Sequence, residues 1–153
     1  MQEVFLEAAK YSGTAVVEIM QNCVIFNDKV FSDYTAKENK VDNIIHIEHG
    51  KPMLFGADNE KGLKLNGFKL EVVTIGESGI TEKDILVHDA NEEDSTLHMM
   101  LAKLQMPIVN GVIRAHKSDT FELRLKQQVE EIERSSKFKS VNDLFVSGET
   151  WEI

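Results

Sequence analysis

The chain has 153 residues, a hydrophobic fraction of 42%, a charged fraction of 28% and a net charge of −9, enough for one domain with a real core and too short for two comfortable ones. The acidic balance, with no segregated basic patch, excludes nucleic acid as a partner, because its phosphates would be repelled. No apolar run approaches the roughly 20 residues that span a bilayer, and the lone cysteine leaves no internal disulfide, so a cytoplasmic protein with no membrane partner is expected.

Val4–Lys10 has apolar residues at helical spacing and ends before Gly13, which predicts a first helix. The nearly continuous apolar run Ala15–Ile19 predicts a strand buried on both faces of a parallel sheet. No second such unit follows, so the start of the chain reads as the end of a larger alternating fold. The polar stretch Ser32–Asn43 is expected to be an irregular surface connection. Ile44–Glu48 predicts a strand, broken by His49-Gly50-Lys51-Pro52 and resumed by Met53-Leu54-Phe55. Gly62–Leu70 alternates around Asn66-Gly67, the signature of a type I′ hairpin, with Glu71–Ile75 continuing the second arm. Lys61, Lys64 and Lys69 are its wet face. Ile85-Leu86-Val87 suggests another short strand.

From Asp94 the pattern becomes helical: Leu97, Met100, Leu101 and Leu104 share a face that Pro107 brings to an end. Val109–Ala115 reads as a strand around Gly111. A second helix, capped by Ser118 or Asp119, carries Phe121, Leu125, Val129 and Ile132 on one stripe. In the last short helix, Ser140-Val141-Asn142-Asp143 resembles a capping box. The fold class is α+β, with one to three strands near the N-terminus, a β-hairpin around Asn66-Gly67 and C-terminal helices.

Few side chains suggest chemistry by spacing alone. Cys23, in Gln21-Asn22-Cys23-Val24-Ile25-Phe26-Asn27-Asp28, follows the expected first strand, at the end of a sheet where ligands collect. A single cysteine is otherwise a small packed hydrophobe, and both readings stand at this level. His46 and His49 are three apart, which on a strand puts them on opposite faces unless the Gly50 bend realigns them. His88 and His98 read as surface or helix-start residues. The acidic run Asp89–Asp94 lacks calcium-loop spacing and reads as a solvated approach to the helix. There is no Gly-x-Gly-x-x-Gly, no phosphate loop and no nucleophile elbow.

Longer strings point to a family. Gly13-Thr14-Ala15-Val16-Val17-Glu18-Ile19-Met20-Gln21-Asn22-Cys23-Val24-Ile25-Phe26-Asn27-Asp28 resembles a segment near the middle of the β subunit of 2-oxoacid:ferredoxin oxidoreductases, of the bacterial 2-oxoglutarate type. Glu48-His49-Gly50-Lys51-Pro52-Met53-Leu54-Phe55-Gly56 and Leu86-Val87-His88-Asp89 resemble its downstream portion. Val141-Asn142-Asp143-Leu144-Phe145 and Gly148-Glu149-Thr150-Trp151-Glu152-Ile153 are similar to its C-terminus. The likeness covers essentially the whole chain and about the C-terminal half of the family's subunit.

The resemblance implies that residues 1–31 end a thiamine-diphosphate-binding domain of α/β type, including the cysteine loop, and that 32–153 form the β subunit's C-terminal extension. It also implies a 4Fe–4S cluster with Cys23 as one ligand, the other three cysteines and the Gly-Asp-Gly motif for thiamine diphosphate and magnesium lying in the N-terminal half. The reaction implied for the intact enzyme is coenzyme A-dependent oxidative decarboxylation of a 2-oxoacid, 2-oxoglutarate by overall likeness, with electrons passing through the cluster to ferredoxin. The expected partners are the N-terminal half of the β subunit, an α (or α/γ) subunit and ferredoxin. Neither the other cysteines nor the thiamine motif occurs here, so this chain alone is expected to bind no cofactor and to be inactive. No catalytic residue is identified; His49, at the glycine bend, is the one candidate for reaching the active site. The alternative is a non-catalytic α+β subunit-interaction module whose cysteine is structural.

Overall fold

A computed structural model describes residues 1–149 and Trp151. The closing string Gly148–Ile153 therefore lies partly outside the described residues, at Thr150, Glu152 and Ile153. The chain divides into two compact units, one of residues 1–11 and 15–117, the other of 12–14 and 118–153. Helices accompany one parallel and one antiparallel sheet, an α+β arrangement.

In the first unit, helix α1 (Gln2–Lys10) has Glu3 in its first turn and Lys10 in its last, charges that suit the helix dipole. None of its residues is buried. The expected strand Ala15–Ile19 does not form, because a strand exists only by exchanging hydrogen bonds with a neighbour and no described segment pairs with this one. Val16 and Ile19 remain outside, Val16 being 89% exposed, and only Val17 is partly covered. The polar connection is more ordered than its composition suggests, containing two single-turn helices, α2 (Ser32–Thr35) and α3 (Lys40–Asn43). Asp42 of α3 meets Lys61 Nζ at 2.6 Å, tying this turn to the start of a strand.

That strand belongs to an antiparallel sheet of β2 (Leu54–Phe55), β3 (Lys61–Asn66) and β4 (Lys69–Thr74), in that order. The hairpin is present, but its turn is shifted by one residue: Asn66 pairs with Lys69, leaving Gly67 and Phe68 as the loop. Gly67 has φ +59° and Phe68 is not in the positive region. Positive φ at the first central residue alone is the type II′ pattern, not the type I′ expected. Gly62 pairs with Leu54 on one side and Val73 on the other.

The second sheet joins β1 (Ile44–Ile47) in parallel to β5 (Ile108–Gly111), with Ile45 opposite Val109 and Ile47 opposite Gly111. A β carbon on Gly111 would strike the carbonyl oxygen of Ile47, and φ +124° there also requires glycine. Between these strands run α4 (Thr96–Ala102), which ends well before Pro107, and the irregular segment around Ile85–Val87. The latter is not a strand: it makes one bridge, Val87 to Pro52, while Leu86 exchanges backbone bonds with Met53 and Leu63. The core follows from strand alternation. Ile45 and Ile47 point inward while His46 points out, and they pack with Met53, Phe55, Leu63 and Leu101. Each such side chain contributes about 1.5–3 kcal/mol on burial.

In the second unit, α5 (Phe121–Ser135) is capped by Thr120, whose Oγ1 accepts from Leu123 N–H at 3.3 Å, rather than by Ser118 or Asp119. Its apolar stripe is exposed. The capping box at Ser140 forms as expected and starts α6 (Val141–Phe145), Asp143 accepting from the N–H of Ser140.

Candidate functional site

Cys23 sits in a tight turn whose Asn27 N–H donates to the Cys23 carbonyl at 2.9 Å. Asn22 closes the loop with both ends of its amide: Nδ2 donates to Asp28 Oδ1 at 2.9 Å, and Oδ1 accepts from Lys29 N–H at 2.7 Å. Lys29 takes φ +60° to complete the return. The thiol is exposed rather than packed. Backbone N–H groups of Phe26, then Ile25, and more weakly Asn27 point at its sulfur and hold its pKa below the ordinary cysteine value, because they bond the thiolate better than the thiol. At the tip, Val24, Ile25 and Phe26 carry their apolar side chains outward, Phe26 being 90% exposed.

A thiolate is the soft anionic donor that iron–sulfur clusters take, and N–H groups at its sulfur are the contacts that tune them. Cys23 therefore fits one position of a cluster. Among the described residues no three His, Cys, Asp or Glu side chains gather to hold a metal.

A second polar concentration lies elsewhere in the first unit, on the loop between Val87 and α4. His88 and His98 are not surface residues: their relative exposures are 0% and 4%. His98 does stand in the first turn of α4, but the surface reading fails for both because their rings occupy inward positions. Leu86, His88 and Ala90 alternate into the core, and His98 sits one turn before the buried Leu101 on α4. That spacing was the available signal. The rings meet edge to face, 6.0 Å between centroids. His88 Nε2 donates to the Val112 carbonyl at 2.9 Å, and its Nδ1 is buried without a partner. Burial lowers the His88 pKa, the bond to Val112 opposing it.

Around them the loop is pinned by three more side chains. Arg114 donates through Nη1 to the Glu92 carbonyl at 2.7 Å and through Nη2 to the Glu93 carbonyl at 2.9 Å. His116 Nδ1 donates to the Asn91 carbonyl at 3.0 Å, while the His116 carbonyl accepts from Tyr11 Oη at 2.7 Å. His49, from the glycine bend after β1, accepts at Nδ1 from Ala90 N–H at 3.2 Å, with Asp89 Oδ1 3.3 Å from the same nitrogen. His49 is thus oriented by the loop and open to solvent, whereas His46 stands apart on the outward face of β1. Cys23 makes no hydrogen bond to any of these histidines.

The chain is 36% identical over 133 residues to the 2-oxoglutarate oxidoreductase subunit KorB of Mycobacterium tuberculosis (strain ATCC 25618 / H37Rv), a match covering 84% of this chain and 35% of the relative. The chain thus spans about a third of the length of the curated relative it matches. No family model matches it, and no solved structure does. Among the described residues no helix is long and apolar enough to cross a membrane.

Proposed function

We propose that this chain, similar to 2-oxoglutarate oxidoreductase subunit KorB, is part of the β subunit of a 2-oxoacid:ferredoxin oxidoreductase and works inside that complex by supplying one thiolate ligand, Cys23, to a 4Fe–4S cluster. The observation that carries this is the exposed Cys23 sulfur facing consecutive backbone N–H groups in a turn closed by Asn22. When bound, the cluster would supply one-electron transfer toward ferredoxin in the coenzyme A-dependent oxidation of a 2-oxoacid. The chain's own share is to hold the thiolate, donate N–H bonds toward its sulfur and place apolar Val24, Ile25 and Phe26 beside it. The remaining cysteines, thiamine diphosphate and magnesium belong, on this reading, to the N-terminal half of the subunit, and an α (or α/γ) subunit completes the enzyme. The chain alone is then inert toward 2-oxoglutarate. His49, whose Nδ1 accepts from Ala90 N–H, is the candidate of this reading for reaching the active site.

The test is Cys23→Ala in the complex assembled with the rest of the β subunit and its partner subunit. Loss of the brown absorption and of the reduced-cluster electron paramagnetic resonance signal is expected, with Cys23→Ser retaining at most a weakened signal. A full cluster signal in Cys23→Ala would overturn the assignment. It would leave the subunit-interaction reading, in which the cysteine has no cofactor role.

A further inference from the structure

Among the described residues of the second unit none is buried. Yet α5 lines up Phe121, Leu125, Val129 and Ile132 on one face, each between 45% and 76% exposed. A stripe of this kind is stable in water when an apolar surface covers it. Phe121, Leu125, Gln128 and Ile132 follow the alternating four-three-four spacing of a coiled-coil seam, occupying positions d, a, d and a of two heptads. The charges of α5 are sorted about that seam. On the far face Glu130 is shared by Lys126 at 3.9 Å and Arg134 at 3.3 Å. Arg124 and Glu131 border the seam along one side, both at position g, one heptad apart and opposite in sign. Among the described residues neither has an ion-pair partner, and Arg124 donates to the Ser118 hydroxyl at 3.4 Å.

We propose that α5 is a self-recognition helix, on which two copies of this chain pair antiparallel along the seam. In that orientation every a position meets a d position of the second copy, so Phe121 packs on Ile132 and Leu125 on Gln128. Across the two-fold axis position g faces position g, and the same register brings Arg124 opposite Glu131 of the second copy at two symmetric places. On the other side Val129 meets the methylene stem of Glu122, with no like charges opposed. A parallel pair would instead set position g against position e, leaving Arg124 facing Val129 and Glu131 facing Ser136. One arrangement therefore covers the apolar stripe and matches both unpaired charges, and a second copy of α5 carries the pattern that does so. Antiparallel helix dipoles favour it further. Two heptads bury few side chains, so the pair is weak and concentration-dependent, its charges setting orientation more than strength. This pairing does not depend on the role assigned to Cys23.

Sedimentation velocity of the full chain at low salt tests this. Monomer is expected at about 1 μM and a growing dimer fraction toward about 500 μM, as mass action requires of a weak contact. Arg124→Glu and Glu131→Arg each turn two attractive contacts into repulsive ones and should raise the dimer dissociation constant by about tenfold. With both substitutions in one chain the charges are exchanged but still opposite, so the constant should return to within about threefold of the wild type. An equimolar mixture of the two single variants should form heterodimers more readily than either variant forms its own dimer. Rescue of this kind cannot arise from misfolding, and unchanged helix content by far-ultraviolet circular dichroism checks each variant. A chain that stays monomeric at every concentration would overturn the proposal and leave the stripe to a different subunit. A dimer indifferent to the single substitutions, or one that the double substitution does not restore, would place the contact elsewhere or in another orientation and overturn it equally.

Discussion

Gly62→Ala is expected to destabilise the first unit even though alanine suits a strand better than glycine does. Gly62 is buried between Leu54 and Val73, and its backbone is not in the positive-φ region, so conformational strain plays no part. A β carbon there would lie 2.6 Å from Ile85 Cδ1 and 2.9 Å from both Cγ1 and Cγ2. Ordinary contact begins at 3.4 Å, so Ile85 must retreat by about 0.8 Å. Ile85 is only 4% exposed and has nowhere to go. Overpacking of this kind costs about 1–3 kcal/mol, against about 0.5–1 kcal/mol recovered by replacing glycine in a strand. A net loss centred near about 1 kcal/mol, and at most about 2.5 kcal/mol, follows, readable as a lower urea midpoint by far-ultraviolet circular dichroism. Ile85→Val, which removes Cδ1, should cost about 0.5–1.5 kcal/mol alone. It should nevertheless relieve about 1 kcal/mol of the Gly62→Ala penalty when the two are combined. A Gly62→Ala chain as stable as the wild type, or strictly additive losses in the double variant, would refute this packing argument.

Two further outcomes concern the titratable groups. Alkylation of Cys23 by iodoacetamide should reach half its maximal rate below the ordinary cysteine range of about pH 8.5; Phe26→Pro, which deletes the strongest N–H donor to the sulfur, should move the midpoint up, and an unmoved midpoint would show that this donor is irrelevant. His88 is buried and its pKa is lowered in the fold, whereas the unfolded chain protonates it near about 6.5. The unfolded state therefore binds the extra proton first, so the His88 contribution to stability is complete above about pH 6.5 and is lost as pH falls through that value toward the lower folded one. His88→Gln should flatten this part of the urea-midpoint profile, and an undiminished slope would remove His88 as its source.

What could be read from the sequence was local. The Ser140 capping box and the β3–β4 hairpin rest on residues a few positions apart, and both formed, the hairpin one residue displaced because Gly67 alone supplies the positive φ. The parallel pairing of Ile44–Ile47 with Ile108–Gly111 was not legible, since nothing near either strand encodes a partner some sixty residues distant. Ala15–Ile19 shows the converse: an apolar run carries strand propensity, but it becomes a strand only where another edge meets it. At the site, the string around Cys23 drew attention to the thiol, while the N–H groups at its sulfur emerge only from the folded turn. Histidine as a residue type is neither mainly buried nor mainly exposed, so type alone says nothing of His88 and His98, whereas the alternation of Leu86, His88 and Ala90 points His88 inward.

Asn22 gives the cysteine turn a property that outlasts any particular partner. Because its amide bonds Asp28 and Lys29, the shape of residues 22–29 is specified by the segment itself, with no help from a neighbouring sheet. Whatever meets Cys23 meets a rigid fingertip: sulfur, N–H groups and three apolar side chains in one arrangement. Association then carries little of the ordering penalty that a floppy loop would add, and the geometry at the sulfur becomes a local, transplantable trait of eight residues.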